Sequence, residues 1–307
     1  MTDWLLIAVK QGLYGALMVL FGLASFALYT LRSREGRSAI ALRGWLTGSA
    51  AMGLLLSAAL LVLMAAGMAG TTPISVDRET VTMVATAPGV GAAFIVRMIA
   101  LALALLVTQR AMSTTALTLT AAAGAVALAS LAWNGHGAMN EGVEGWIHLG
   151  ADIAHLLAAG IWFGALVALI LLVSRRATNA TRARLILSHQ ALHGFSSTGT
   201  LAVGVLVVSG LISSWVLVGP DNLGNLGTSL YGQLLLAKLL LFGLMLMLAG
   251  LNRFHLTPAF AGALNTGDTR GSLGALRRSL AIETICALAI LGLISWAGTL
   301  APPASGI

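Results

Sequence analysis

The chain has 307 residues, of which 58% are hydrophobic and only 9% charged, with a formal net charge of +7. Soluble domains carry about 25% charged residues, so the composition excludes a large water-soluble enzyme. The basic residues are scattered between apolar runs rather than gathered in one patch, which argues against a nucleic-acid partner and for membrane topology.

Apolar runs of spanning length recur from end to end. They predict an all-α polytopic membrane protein, a bundle of eight transmembrane helices in the lipid bilayer forming one integral domain over residues 1–307. The first span runs about Leu13 to Leu31, or from Trp4 if tilted, and is read as a retained span rather than a cleaved leader. The others are predicted at Trp45 to Ala69, Gly91 to Val107, Thr115 to Trp133, His148 to Val173, Phe195 to Val218, Tyr231 to Leu251 and Leu280 to Leu300. Pro302 and Pro303 then end regular structure. The single cysteine, Cys286, lies inside the last span, which excludes an intramolecular disulfide and any CxxC metal motif.

Arginines sort by connection. Arg32, Arg34, Arg37 and Arg43 follow span one and Arg110 follows span three; Arg175, Arg176, Arg182 and Arg184 follow span five; Arg253, Arg270, Arg277 and Arg278 follow span seven. Thirteen of the seventeen basic residues therefore fall on alternate connections. The positive-inside rule places these in the cytoplasm and both termini outside, in the periplasm if the membrane is a bacterial inner membrane.

The stretch from Trp133 to Trp162 gathers three of the six histidines, His136, His148 and His155, with Met139, Glu141, Glu144 and Asp152. His148, Asp152, His155, Ala159 and Trp162 recur at spacings of four, three, four and three, which places them on one helical face. Imidazole suits Cu(II), Zn and Fe, and thioether selects Cu(I). Met64 and Met68, near the same end of span two, and Met98 in span three could add soft ligands, although methionine is also common packing in apolar helices. The bland alternative is a hydrogen bond from His155 to a neighbouring helix, with His136 capping span four. His189, His193 and His255 fall on the arginine-rich side, where an interfacial position explains them.

Charges inside other spans need partners. Asp152 is expected to pair with Arg97 or Lys238, and Glu283, with Cys286 three residues on, to be satisfied by Asn252 or Arg253. The serine and threonine cluster at Ser196, Ser197, Thr198 and Thr200 suggests a lined cavity in span six. There is no G-x-x-x-x-G-K-[ST] loop, no H-E-x-x-H helix and no G-x-S-x-G elbow, so the expectation is that the chain is not an enzyme.

The chain resembles the copper resistance protein D (CopD-type) family of bacterial inner-membrane proteins. The resemblance is carried by W-N-G-H-G at 133–137, H-L-G-A-D-I-A-H-L-L-A-A-G-I-W-F-G at 148–164, Y-G-Q-L-L-L-A-K-L-L-L-F at 231–242, L-N-R at 251–253 and R-R-S-L-A-I-E at 277–283. It implies copper handling, Cu(I) or Cu(II), with uptake across the inner membrane from a periplasmic copper-binding protein as partner. It marks His136, Asp152, His155, Trp162, Lys238, Asn252 and Glu283. The predicted ligands are His136 and His155, with His148 and Met139 as capture ligands above and Asp152, Arg97, Lys238, Glu283 and Asn252 as a supporting polar network. A periplasmic domain fused in some relatives is not expected here, because the chain stops at Ile307. Two other classes stay open: a b-type haem protein for electron transfer with His136 and His155 as axial ligands, and a structural or sensing subunit.

The arginine distribution makes a topological prediction. Reporter fusions at Thr2 and at Ile307 should both register outside the cytoplasm, and a cytoplasmic signal from either would break the eight-span assignment.

Overall fold

The computed structural model describes residues 4–31, 34–134, 142–173, 182–219, 222, 224, 226–266 and 269–300. Among them the regular structure is entirely helical: α1 (Trp4–Tyr29), α2 (Arg34–Ala39), α3 (Leu42–Ala69), α4 (Arg78–Thr86), α5 (Val90–Thr108), α6 (Thr114–Ala129), α7 (Gly142–Val173), α8 (Arg182–Val218), α9 (Leu230–Leu251), α10 (Thr257–Thr266) and α11 (Arg270–Ala297). A 3₁₀ turn, Ser130–Asn134, extends α6, and a π-helical turn, Asn252–Leu256, joins α9 to α10. Among the described residues eight helices are long and apolar enough to cross a membrane, and the protein is an all-α, multi-pass membrane protein.

Several helices outrun the spans expected from hydrophobicity. α8 starts at Arg182 rather than Phe195 and has 37 residues, about 55 Å at 1.5 Å per residue, against a hydrocarbon core of about 30 Å. α7 starts at Gly142 and α11 at Arg270. Apolar composition marks only the part of a helix that meets lipid; the hydrogen-bonded ladder continues into water where packing supports it. The connection between α3 and α5 also contains a short helix, α4. Its N-cap Asp77 accepts from the Thr80 amide at 2.7 Å and the Thr80 hydroxyl at 2.9 Å, and these bonds hold the Asp77 carboxyl below the usual carboxylate range.

α1 and α7 form the centre. α1 packs against α3, α6, α7 and α11, while α7 also packs against α8 and α11 and α9 lies against α11. Glycine sets the α1–α7 crossing. A Cβ on Gly22 would sit 1.9 Å from the Gly160 carbonyl oxygen, and one on Gly164 would sit 2.4 Å from the Gly22 Cα. Gly160 and Gly164 thus form a small-xxx-small face that lets the two backbones touch.

Arginines close one end of the bundle. Arg37 donates to the carbonyls of Leu31 at 2.9 Å and Met112 at 2.7 Å. Arg43 donates to those of Thr108, at 2.9 Å, and Gln109, and Arg277 to that of Val173. These carbonyls belong to or follow the C-termini of α1, α5 and α7, where the last turn has no intrahelical donor and the dipole is negative. At the opposite end Lys10 of α1 donates to the Gly298 carbonyl beyond α11 at 3.1 Å.

The crossing generates a mutational prediction. Gly22→Ala or Gly164→Ala should cost about 1–3 kcal/mol or more through overpacking, lowering both the thermal midpoint and the yield of monodisperse protein in detergent. Gly15→Ala on α1 and Gly150→Ala on α7 meet open space and should match the parent in both measurements.

Candidate metal site

α7 carries the polar face that its spacing predicted. His148 is fully buried, and its Nε2 lies 3.7 Å from Asp152 Oδ1, one turn along the same helix. That is beyond hydrogen-bond range, so both ring nitrogens of His148 lack a hydrogen-bond partner. Asp152 accepts a hydrogen bond from Ser213 on α8 at 2.9 Å. His155 Nδ1 lies 2.9 Å from Ser209 Oγ on the same helix. Ser209 and Ser213 are four residues apart and so share a face of α8; they match Asp152 and His155 across an antiparallel pair of helices.

Ser209 anchors His155 to α8. Ser209 Oγ donates its hydrogen to the Val205 carbonyl at 2.6 Å, the back-bond common for serine in apolar helices. The same hydroxyl meets the His155 imidazole, so the serine ties the ring to the α8 backbone. The neighbouring-helix bond, which the sequence offers as an alternative to ligation, is present and holds the ring in one orientation.

The expected pairing of Asp152 with Arg97 or Lys238 does not take the form of a direct ion pair. Among the described residues, neither cation comes within 4.0 Å of a carboxylate, and the one such pair joins His148 and Asp152. Lys238 and Asp152 interact only at longer electrostatic range, and Lys238 reaches His155 in the same way. Arg97, fully buried on α5, donates to Ser57 on α3 at 3.1 Å and to Ser130 at 3.3 Å, and lies 5.9 Å from the Phe94 ring centroid. Ser130 passes the bond on to the Ala127 carbonyl at 2.7 Å. The negative end of α6 therefore supplies much of what a carboxylate was expected to supply.

The expected satisfaction of Glu283 by Asn252 is present. Asn252 Nδ2 donates to Glu283 Oε1, and both side chains are buried. Arg253 points elsewhere, to Thr200 Oγ1 at 2.6 Å and the Ser196 carbonyl at 3.5 Å, so the polar start of span six binds an arginine rather than lining the site. Trp162, on the α7 face below His155, brings its indole N–H close enough to interact with Glu283, short of a hydrogen bond. Its ring packs edge-on to Phe242 of α9, 6.0 Å between centroids.

His136 and Met139 lie outside the described residues. Met64 packs against the hydrophobic core and Met68 is exposed, so these methionines do not extend the α7 cluster together. His193 and His255 are exposed and His189 lies 6.4 Å from the Phe260 ring, which matches interfacial positions. Among the described residues no three His, Cys, Asp or Glu side chains are gathered closely enough to hold a metal ion together. Ser209, Ser213, Ser57 and Ser130 escaped the sequence reading; the signal available was serine at i, i+4 in an otherwise apolar span.

A family model for the copper resistance protein D-like N-terminal domain matches residues 1–146, and one for copper resistance protein D matches residues 189–297. Over 98% of its length the chain is 42% identical to a copper resistance protein D of Pseudomonas syringae pv. tomato, covering 98% of that protein. The chain belongs to the copper resistance protein D family. It is also 36% identical over 129 residues to the inner membrane protein YebZ of Escherichia coli, 42% of either chain. It is 33% identical over 125 residues to the copper transport protein CutJ of Bacillus subtilis, 41% of this chain and 22% of that one. No solved structure matches. The polar face of α7 falls between the two matched segments, whereas Arg97 lies in the first and Lys238, Asn252 and Glu283 in the second.

The α7–α8 contact yields a stability prediction. Ser213→Ala should cost about 1–3 kcal/mol by leaving the Asp152 carboxylate without its hydroxyl donor, read as a lower midpoint in thermal unfolding of the detergent-purified protein. Thr200→Ala, which removes an exposed partner of Arg253, should cost less.

Proposed function

We propose that this protein carries copper ions across the bacterial inner membrane into the cytoplasm, receiving them outside from a periplasmic copper-binding protein. The observation that carries the proposal is the polar face of α7: Ser209 and Ser213 of α8 hold His155 and Asp152 one turn apart, and His148, two turns from His155, is a fully buried imidazole with neither nitrogen hydrogen-bonded. Imidazole nitrogen and carboxylate oxygen are ligand types for a first-row transition metal, and polar groups in a membrane-spanning segment otherwise carry a cost without return. Family membership supports copper as the ion, and so does the partial likeness to a protein named for copper transport.

The arginine-rich end is assigned to the cytoplasm by the positive-inside rule, with both termini outside. His148 then lies nearest the outer surface and His155 about 10 Å deeper, which favours entry from the periplasm. Lys238 is a positive charge near this path, and its electrostatic contact with Asp152 lowers the barrier it would otherwise raise against a cation. The chain acts as a permease, without a catalytic step of its own.

Metal analysis tests the reading. His155→Ala and His148→Ala, each shown to be folded, should bind copper at least about tenfold more weakly than the parent, while His255→Ala should bind as the parent does. Unchanged stoichiometry and affinity in both folded α7 variants would remove the site.

A further inference from the structure

A second polar station lies below the first. Following α7 inward from His155, the next side chain on the same face to meet a charged group is Trp162, beside Glu283. Glu283 is near the middle of α11 in sequence and only 2% exposed. Its described neighbours carry no compensating charge. Among the described residues no Lys, Arg or His comes within 4.0 Å of it. The nearby cations are engaged elsewhere: Arg253 with α8 and Arg277 with the Val173 carbonyl. Lys238, His155 and Asp152 belong to the station above, and Lys10 bonds the Gly298 carbonyl at the far end of α11.

Two further donors stand at this carboxylate. The Asn252 amide nitrogen is used on Glu283, and its Oδ1 is buried with no hydrogen-bond partner. The π-helical turn creates that placement. Its i to i+5 bond, Thr257 N–H to the Asn252 carbonyl, goes with a buried Asn252 and exposed Arg253, Phe254 and His255. Such single-turn π segments recur at functional sites. Cys286, the one cysteine of the chain, follows Glu283 by three residues on the same buried face and interacts electrostatically with it.

We propose that Glu283, Cys286 and the side-chain Oδ1 of Asn252 form an inner binding station for a soft monovalent cation, Cu(I), on its way to the cytoplasmic side. This rests on the copper-permease reading and adds to it the oxidation state of the ion that passes. Charge selects the valence. Sulfur binds the ion as thiolate, and the Cys286 proton passes to the Glu283 carboxylate three residues away, so the station carries one negative charge throughout. A single positive charge balances it in a low-dielectric interior, and a divalent ion would leave an excess that burial penalises. The thiol selects the ion, because soft sulfur ligands prefer Cu(I) to alkali cations.

The test is an anaerobic titration of the full-length, detergent-purified chain with Cu(I) against a chromophoric competitor, repeated with Ag(I) and with Cu(II). Glu283→Gln and Cys286→Ser should each weaken or remove the same Cu(I) equivalent by about tenfold or more, and together no more than that equivalent. His155→Ala should affect a different equivalent, and Glu283→Gln should leave Cu(II) binding unchanged. Glu283→Asp, which keeps the charge, should retain Cu(I) binding and guards against reading a folding defect as a lost ligand. Parent-like Cu(I) binding in folded Glu283→Gln and Cys286→Ser overturns the inner station, and an equal loss of Cu(II) overturns its valence. If the parent binds a His155-dependent equivalent but none that depends on Glu283, the station alone fails. If it binds no copper, the permease reading fails with it.

Discussion

The architecture depends on how closely α1 and α7 approach. At their crossing the Gly22, Gly160 and Gly164 backbones are in contact: a side chain on Gly22 or Gly164 would have to occupy space held by backbone, and one on Gly160 space held by the Leu128 and Phe21 side chains. Lipid offers no hydrophobic incentive for helices to associate, so close packing by small residues has to supply it. Once α7 is pinned against α1, its opposite surface meets α8 and α11, and that surface carries His148, Asp152, His155 and Trp162.

From that placement the polar chemistry follows by accounting. A membrane interior supplies no water, so each polar group must find a partner within the bundle or remain costly. α8 supplies Ser209 and Ser213 at one helical turn, matching His155 and Asp152. α3 and the end of α6 supply Ser57 and Ser130 to Arg97. Among the described residues seven buried side-chain atoms are left over: both nitrogens of His148, the Trp162 indole, Asn252 Oδ1, Tyr29 Oη, Thr30 Oγ1 and Ser279 Oγ. The first four belong to residues that line the α7 face or flank Glu283, so more than half of the unmet hydrogen-bonding capacity falls there.

The arginines have two physical roles at once. Their distribution between spans sets orientation through the membrane, and Arg37, Arg43 and Arg277 bind the orphan carbonyls at the ends of α1, α5 and α7. A residue type read from sequence as a topological signal is in the structure also a cap, which ties the spans together at the arginine-rich end.

Fold class, the number of spans and the shared face of His148, Asp152 and His155 were determined by sequence alone. They depend on local quantities: apolar run length against bilayer thickness, and the 3.6-residue period of a helix. The Asn252–Glu283 contact was also anticipated, since few polar groups exist at that depth. The partners of Asp152 and Arg97 were not. Opposite charges in one half of a bundle suggest an ion pair, but helix packing placed α8 serines beside Asp152 and the C-terminus of α6 near Arg97. Helix ends were misjudged because hydropathy reports lipid contact, whereas helices continue past the lipid. The contacts of His155 with Ser209 and of Asp152 with Ser213 were decided only by tertiary structure, because they depend on which face of α8 packs against α7.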